Sequence, residues 1–177
     1  EEGGTALGLS EMAIVAERLG RSLLPEPLTP CALLAVSALR GCEGSRASEL
    51  RAAIAEGTLL AAVAFQEQAG DLPGTTPGTR VTIDGDKGAR LNGIKRFVAA
   101  GAGADGFIVS AAAAGGGALI WVPADAEGVV VEAQQLADGR FCATVTMTDT
   151  PVADSDHLAD TLDALTLAIS HATVIVS

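Results

Sequence analysis

The stretch Asp84-Gly85-Asp86-Lys87-Gly88, followed by Arg90-Leu91-Asn92-Gly93-Ile94-Lys95-Arg96-Phe97-Val98 and then by Ala104-Asp105-Gly106-Phe107-Ile108-Val109, decides the fold. A cluster of Gly and Asp between two runs of alternating character is the punctuation of a β-hairpin. Working outward, apolar and β-branched runs divided by Gly, Pro and Asp predict strands near 59–66, 79–84, 89–98, 106–112, 118–123, 129–135 and 141–149. Gly115-Gly116-Gly117 predicts a second hairpin. Turn signals every eight to twelve residues point to antiparallel connections in a meander or barrel, so a predominantly antiparallel β domain is expected over 59–149.

The texture before Leu59 is helical. Leu9, Met12, Ala13, Ala16 and Leu19 recur on one helical face, with Ser10 as the expected cap and Gly20 as the stop, which predicts a helix over 9–19. A proline-punctuated connector covers 23–30. Thr29-Pro30 then reads as cap and first helical position, with Leu33, Leu34 and Ala38 on the apolar face and Gly41 at the end. A third helix is expected over 48–56, capped by Ser48, with Leu50, Ala53 and Ile54 buried and Gly57 as terminator. After Pro151 the apolar spacing of 161–176 predicts a further helix, in which Leu165, Leu167, Ile169, Val174 and Val176 exceed what one buried face needs. Helices, then a β block, then a helix make an α+β fold.

Composition narrows the function classes. The 177 residues are 49% hydrophobic but only 3% aromatic, so the core must be built from small aliphatics around the single Trp121. Acidic residues outnumber basic ones 22 to 11, for a net charge of −11, and no basic run follows a phosphate backbone; nucleic acid is not an expected partner. No apolar run reaches the length of a spanning helix, and the first residues lack the basic region of a secretory signal, so a cytoplasmic protein without membrane association is expected. Cys31, Cys42 and Cys142 match neither a disulfide framework nor a zinc ribbon.

Gly101-Ala102-Gly103-Ala104-Asp105-Gly106 spells the dinucleotide-binding pattern GxGxxG, with Asp125 where a ribose-binding acid would sit. That reading, a Rossmann-type nicotinamide oxidoreductase, requires a helix starting at the turn, whereas Phe107-Ile108-Val109 is β-like. Asp154, Asp156, His157 and Asp160 fit no calcium loop and read as capping chemistry before a helix, so no metal site is expected. His171 has no GxSxG partner.

The order of segments is more specific than any one motif. Glu2-Gly3-Gly4, Gly8-Leu9-Ser10-Glu11 and Val15-Ala16-Glu17-Arg18-Leu19-Gly20-Arg21 resemble the late N-terminal helical region of the acyl-CoA dehydrogenase family. Ala62-Val63-Ala64-Phe65-Gln66-Glu67-Gln68-Ala69-Gly70-Asp71 resembles the TEPxAGSD stretch opening that family's middle β domain. Arg90 to Val98 with Ala104 to Val109 is similar to its LNGxKxWITN…AD hairpin, and Val145-Thr146-Met147-Thr148-Asp149-Thr150-Pro151-Val152 to its last β segment. The resemblance implies a partial N-terminal helical domain (1–57), a middle antiparallel β-barrel domain (58–153) and the first helix of a C-terminal helical domain (154–177). It implies an internal portion of a longer subunit.

The resemblance further implies FAD and α,β-dehydrogenation of an acyl-CoA thioester, in which a glutamate takes the α proton and flavin accepts the hydride. The family's flavin-contacting positions fall on Phe65, Gln66, Ala69, Gly70, Asp71, Phe97, Val98 and Ala99. The catalytic glutamate lies in the family's C-terminal helices, so no catalytic residue is assigned. Several positions depart from the pattern: Gln66 replaces Thr, Asp71 replaces a Ser near the pyrophosphate, Phe97 replaces Trp, Ala99 replaces a flavin-facing Thr, and the loop around Gln68 is one residue short. The expected function is therefore the degenerate half of a heteromeric acyl-CoA dehydrogenase. It would resemble actinobacterial heterotetramers for steroid side chains, with FAD held mainly by a homologous partner in a dimer of dimers. The alternative is a self-sufficient FAD-binding acyl-CoA dehydrogenase.

Overall fold

Four helices and eight strands follow one another in a computed structural model that describes residues 8–24, 27–72, 74–85 and 88–176, with the side chains of 84 and 174–176 left undescribed. The Glu2-Gly3-Gly4 motif, part of the 23–30 connector, the Asp86-Lys87 tip of the first hairpin and the Val174 and Val176 side chains lie outside the described residues. Helix α1 spans Leu9–Arg21. Its N-cap is Gly8 and not Ser10: the Glu11 carboxylate accepts the Gly8 N–H at 2.8 Å, satisfying an orphan donor from within the first turn. A π-helical stretch, Leu28–Ala35, runs straight into α2, Val36–Arg40, and starts ahead of the expected Thr29 cap. Pro30 is tolerated because a first-turn residue needs no N–H partner. Helix α3, Ser45–Ala55, begins three residues before the expected 48, and its cap is Gly44, at positive φ and with no side chain to signal a cap, in place of Ser48. Ser48 instead accepts from Arg51 Nη2 at 2.8 Å within the helix. Helix α4, Asp163–Val176, packs on α2 and the Leu28–Ala35 stretch. Gly41 lies against Ala164 so closely that no Cβ would fit.

The strands are β1 (Ala61–Ala64), β2 (Arg80–Asp84), β3 (Gly88–Ala99), β4 (Gly106–Ala113), β5 (Gly116–Pro123), β6 (Val129–Gln135), β7 (Phe141–Val152) and β8 (His157–Ala159). They form one sheet in the order β6-β7-β3-β2-β4-β5-β8, with β1 also paired to β4. Both expected hairpins form, β2 with β3 and β4 with β5. The sheet is mixed rather than purely antiparallel: β1 runs parallel to β4 from Ala61↔Gly106 to Ala64↔Val109, and β2 touches β4 in parallel at Arg80↔Ala112. The forty-odd residues between β1 and β4 supply the long return that a parallel pair needs. Strand β8, absent from the sequence reading, is too short for alternation to show; only Leu158 of its three residues is buried.

Side-chain alternation divides the core. Ala62 and Ala64, Phe107, Val109 and Ala111, and Ala118, Ile120 and Val122 point one way, into Leu91, Val98, Ala143, Val145 and Met147 of β3 and β7. Ala61 and Val63, Ile108, and Leu119 and Trp121 point the other way, into Leu39, Leu50, Leu165 and the remaining helical core. The β1/β4/β5 layer is thus sandwiched between the helices and the β3/β6/β7 layer, which accounts for the nearly uninterrupted apolar runs of β4 and β5. Gly101 to Gly106 form a 3₁₀ turn, Gly101–Gly103, that leads into β4 with no helix. That removes the Rossmann reading, because a pyrophosphate would have no helix N-terminus to meet. Gly106 is glycine for another reason: a Cβ there would strike the Trp121 ring. Among the described residues no helix is long and apolar enough to cross a membrane, and no group of three or more His, Cys, Asp or Glu could hold a metal. Asp156 accepts from Arg46 Nε at 3.0 Å, and His157 Nε2 lies 2.8 Å from Asp160 Oδ1.

Candidate functional site

Where β1 ends, the chain turns through Phe65 to Asp71 against the middle of β3. The Arg96 N–H donates to the Gln66 carbonyl at 2.8 Å, stitching the turn to β3 within the bulge between Lys95 and Val98, where the pairing with β7 shifts register. Phe97 takes φ +55° in that bulge, which strains a non-glycine residue and holds its ring outward, 44% exposed. Val98 points into the core and Ala99 faces outward. The eight sequence-predicted positions thus lie on two segments joined by the Arg96 to Gln66 contact, the turn after β1 and the end of β3, with Phe65 and Gln66 half-buried, Ala69 and Gly70 exposed, Asp71 half-buried and Val98 in the core.

The strongest interactions at this edge come from residues the sequence reading did not single out. Lys95 has no exposed surface. Its Nζ donates to Glu67 Oε1 at 2.7 Å, Ser110 Oγ at 3.1 Å and the Phe65 carbonyl at 3.2 Å, so all three protons have acceptors. Glu67 in turn accepts the backbone N–H groups of Gly78 and Thr79, each at 2.8 Å. Partial burial pushes the Glu67 carboxyl up, but hydrogen bonds from Lys95 and Thr79 and the Lys95 charge outweigh it and hold the group down at about 2. Burial pulls the Lys95 ammonium below its ordinary value, opposed by Glu67 and Asp71. The pair ties four segments together from inside. The signal for it is a lysine on the inward face of β3, in phase with Leu91, since a charge at such a position needs a partner.

Asp71 also turns inward on its own loop. Its Oδ2 accepts the N–H groups of both Glu67 and Gln68 at 2.8 Å, and its own N–H closes the turn onto the Gln68 carbonyl at 3.3 Å, with Gly70 at φ +87° as the turn requires. Tested against a flavin nucleotide, these residues do not fit: Ala99 has no polar side-chain atom to donate, and Asp71 offers a carboxylate, engaged by its own loop, where the resembled pattern has a hydroxyl. A separate cavity of ≈ 460 Å³ opens at the other end of β1, between α1, the Leu28–Ala35 stretch and the segment after α3, lined by Leu19, Leu28, Cys31, Ile54, Leu60 and Asp105. The Asp105 carboxylate there is occupied by the Leu60 N–H at 2.7 Å.

No family model matches the chain, and a search of curated proteins gives no match. Solved structures do. A variant of the Tcur3481-Tcur3483 steroid acyl-CoA dehydrogenase (ACAD) superposes with a TM-score of 0.82 at 28% identity, covering 98% of this chain and 46% of that one. The ChsE4-ChsE5 complex from Mycobacterium tuberculosis gives 0.83 at 24% identity, with coverage of 98% and 46%. Glutaryl-CoA dehydrogenase from Mycobacterium smegmatis gives 0.83 at 19% identity, with 99% and 47%. At the identities of these last two the likeness is one of fold. The chain spans about half the length of the solved structures it matches. It carries part of the acyl-CoA dehydrogenase fold, and the family it resembles is that of the acyl-CoA dehydrogenases, subunits of a steroid acyl-CoA dehydrogenase among them.

Proposed function

We propose that this chain is the flavin-poor half of a heteromeric acyl-CoA dehydrogenase that introduces an α,β double bond into a CoA thioester in the cytoplasm. The observation that carries the reading is the turn from Phe65 to Asp71, docked on β3 through Arg96: its loop amides are occupied by Asp71, and the outward position 99 at the end of β3 offers no side-chain donor. A homologous partner, in a dimer of dimers, would hold FAD and supply the redox chemistry. Two-chain acyl-CoA dehydrogenase assemblies among the solved structures of this fold support such a partner. On this reading residues 1–57 belong to an N-terminal helical domain, 58–153 to the middle β domain and 154–177 to the opening of a C-terminal helical domain, and no base for α-proton removal is assigned within them. This chain's part is then to complete the fold against its partner.

Flavin stoichiometry of the purified native assembly is the test. Flavin is expected to be sub-stoichiometric to total chains and to stay with the partner when the subunits are separated under mild conditions. One FAD per copy of this chain, retained after separation, would overturn the proposal in favour of a self-sufficient flavoenzyme. Sedimentation of the full-length protein alone and with candidate partners tests the assembly. A stable monomer with no change in mass on mixing would remove the partner.

A further inference from the structure

Two successive backbone N–H groups aimed at one point form a concave nest for an anion. The amides of Glu67 and Gln68 are such a pair, and both reach the same oxygen, Asp71 Oδ2, at 2.8 Å. The anion in this nest therefore belongs to the chain itself. The turn that delivers it is short, with only Gln68, Ala69 and Gly70 between Glu67 and Asp71, and the first two of these side chains and the glycine face solvent. One side of the nest has anchors besides Asp71: the Glu67 side chain is held from the inside by Lys95, Gly78 and Thr79, and the Gln66 carbonyl by the Arg96 N–H.

We propose that Asp71 is an internal plug: its carboxylate fills an anion-binding nest at the Glu67 and Gln68 amides and keeps the loop closed to an external phosphate or pyrophosphate. The exclusion is by occupancy first and by charge second. An incoming phosphate would have to displace two charge-assisted hydrogen bonds that cost no loss of translational freedom to make. This deepens the flavin-poor reading and rests on it for its biological meaning, while its physical content stands on the loop alone.

Two substitutions separate occupancy from charge. Asp71→Ala removes the acceptor and frees both amides. Asp71→Asn removes the charge but keeps an oxygen of the same reach. Titration of the full-length protein with inorganic pyrophosphate, with ADP as a second arm, is expected to show no saturable binding for the wild type, little for Asp71→Asn, and a gain of about ten-fold or more for Asp71→Ala, the scale of one hydrogen bond to a charged group. Binding by ADP but not by pyrophosphate would place the ligand's hold outside the nest and overturn the proposal. Hydrogen exchange at the two amides gives an independent readout: protected in the wild type, exposed in Asp71→Ala, protected again with pyrophosphate. No gain with Asp71→Ala, or an equal gain with Asp71→Asn, would overturn the plug. The flavin count of the wild-type assembly is a separate measurement, so the reading it tests can fail while the plug stands, and the reverse.

Discussion

Replacing Glu67 with glutamine leaves the Lys95 ammonium buried with its charge unmatched. At 2.7 Å and an effective dielectric of ~20 the gross attraction between the two is about 6 kcal/mol, and within the intact pair most of it offsets the desolvation of a side chain with no exposed surface. Glu67→Gln removes the attraction and keeps the desolvation penalty, so the expected loss is ~3–5 kcal/mol, a large part of the ~5–15 kcal/mol that holds a typical domain folded. Lys95→Met alone leaves Glu67 without its cation, but the Gly78 and Thr79 amides and water on its open side soften the loss. The double variant Glu67→Gln/Lys95→Met should be more stable than Glu67→Gln alone, because a methionine fills the stem's volume without a charge to desolvate. Trp121, the sole tryptophan and part of the core between β5 and the helices, reports unfolding by fluorescence in urea at one fixed protein concentration. A coupling energy of ~2 kcal/mol or more is expected from the double-mutant cycle. A loss under ~1 kcal/mol for Glu67→Gln, or additivity within ~0.5 kcal/mol, would refute the claim that this pair anchors the loop.

The same carboxylate sets an acid limit: because Glu67 titrates at about 2 when folded against an ordinary 4.5, its contribution is complete above 4.5 and is lost as pH falls from there toward 2. Allowing for water on its open side this is about 1–2 kcal/mol, and the gap in Tm between wild type and Glu67→Gln should narrow across that window. Gly106→Ala puts a methyl into the Trp121 ring and should cost ~1–3 kcal/mol with a shifted emission maximum; an unchanged spectrum and Tm would mean the strands relax freely. Burial pushes the Cys31 and Cys42 thiols up to about 11, so a thiolate-selective reagent at mildly alkaline pH should label them rapidly only after unfolding.

How far the sequence carries depends on whether a signal is local. The β4 and β5 strands were legible as apolar runs bounded by glycines, and their hairpin at 115–117 followed from turn chemistry. That both faces of those runs are buried, one by helices and one by β3 and β7, explains why they lack the alternation seen in a half-exposed strand. Helix α3 started early because its cap is a glycine with no capping side chain, and β8 was missed because three residues carry no period. At the candidate site the residues could be read but not their directions. Glu67 and Lys95 both lie in the quoted stretches, 28 residues apart, yet their pairing goes with the docking of the turn after β1 onto β3, marked by the Arg96 to Gln66 contact, which no local pattern encodes. Asp71 can be read as a departure from the Ser of the resembled pattern, but the turn of its carboxylate onto the loop's own amides cannot.

Two anchors therefore hold the loop after β1, and they answer to different constraints. The inner one, Lys95 with Glu67, Ser110 and the Phe65 carbonyl, is bound into the core, where losing one partner strands a buried charge; it cannot drift without unfolding cost. The outer one, Asp71 on the Glu67 and Gln68 amides, lies at the surface, where water can satisfy freed amides and substitution is cheap. A loop built this way can change what it binds without changing where it sits. On the flavin-poor reading that is how a subunit could lose its own cofactor and keep its fold: positions 71 and 99, where the resembled pattern has hydroxyls and this chain has Asp and Ala, belong to the outer, replaceable set, while the scaffold beneath them belongs to the inner one.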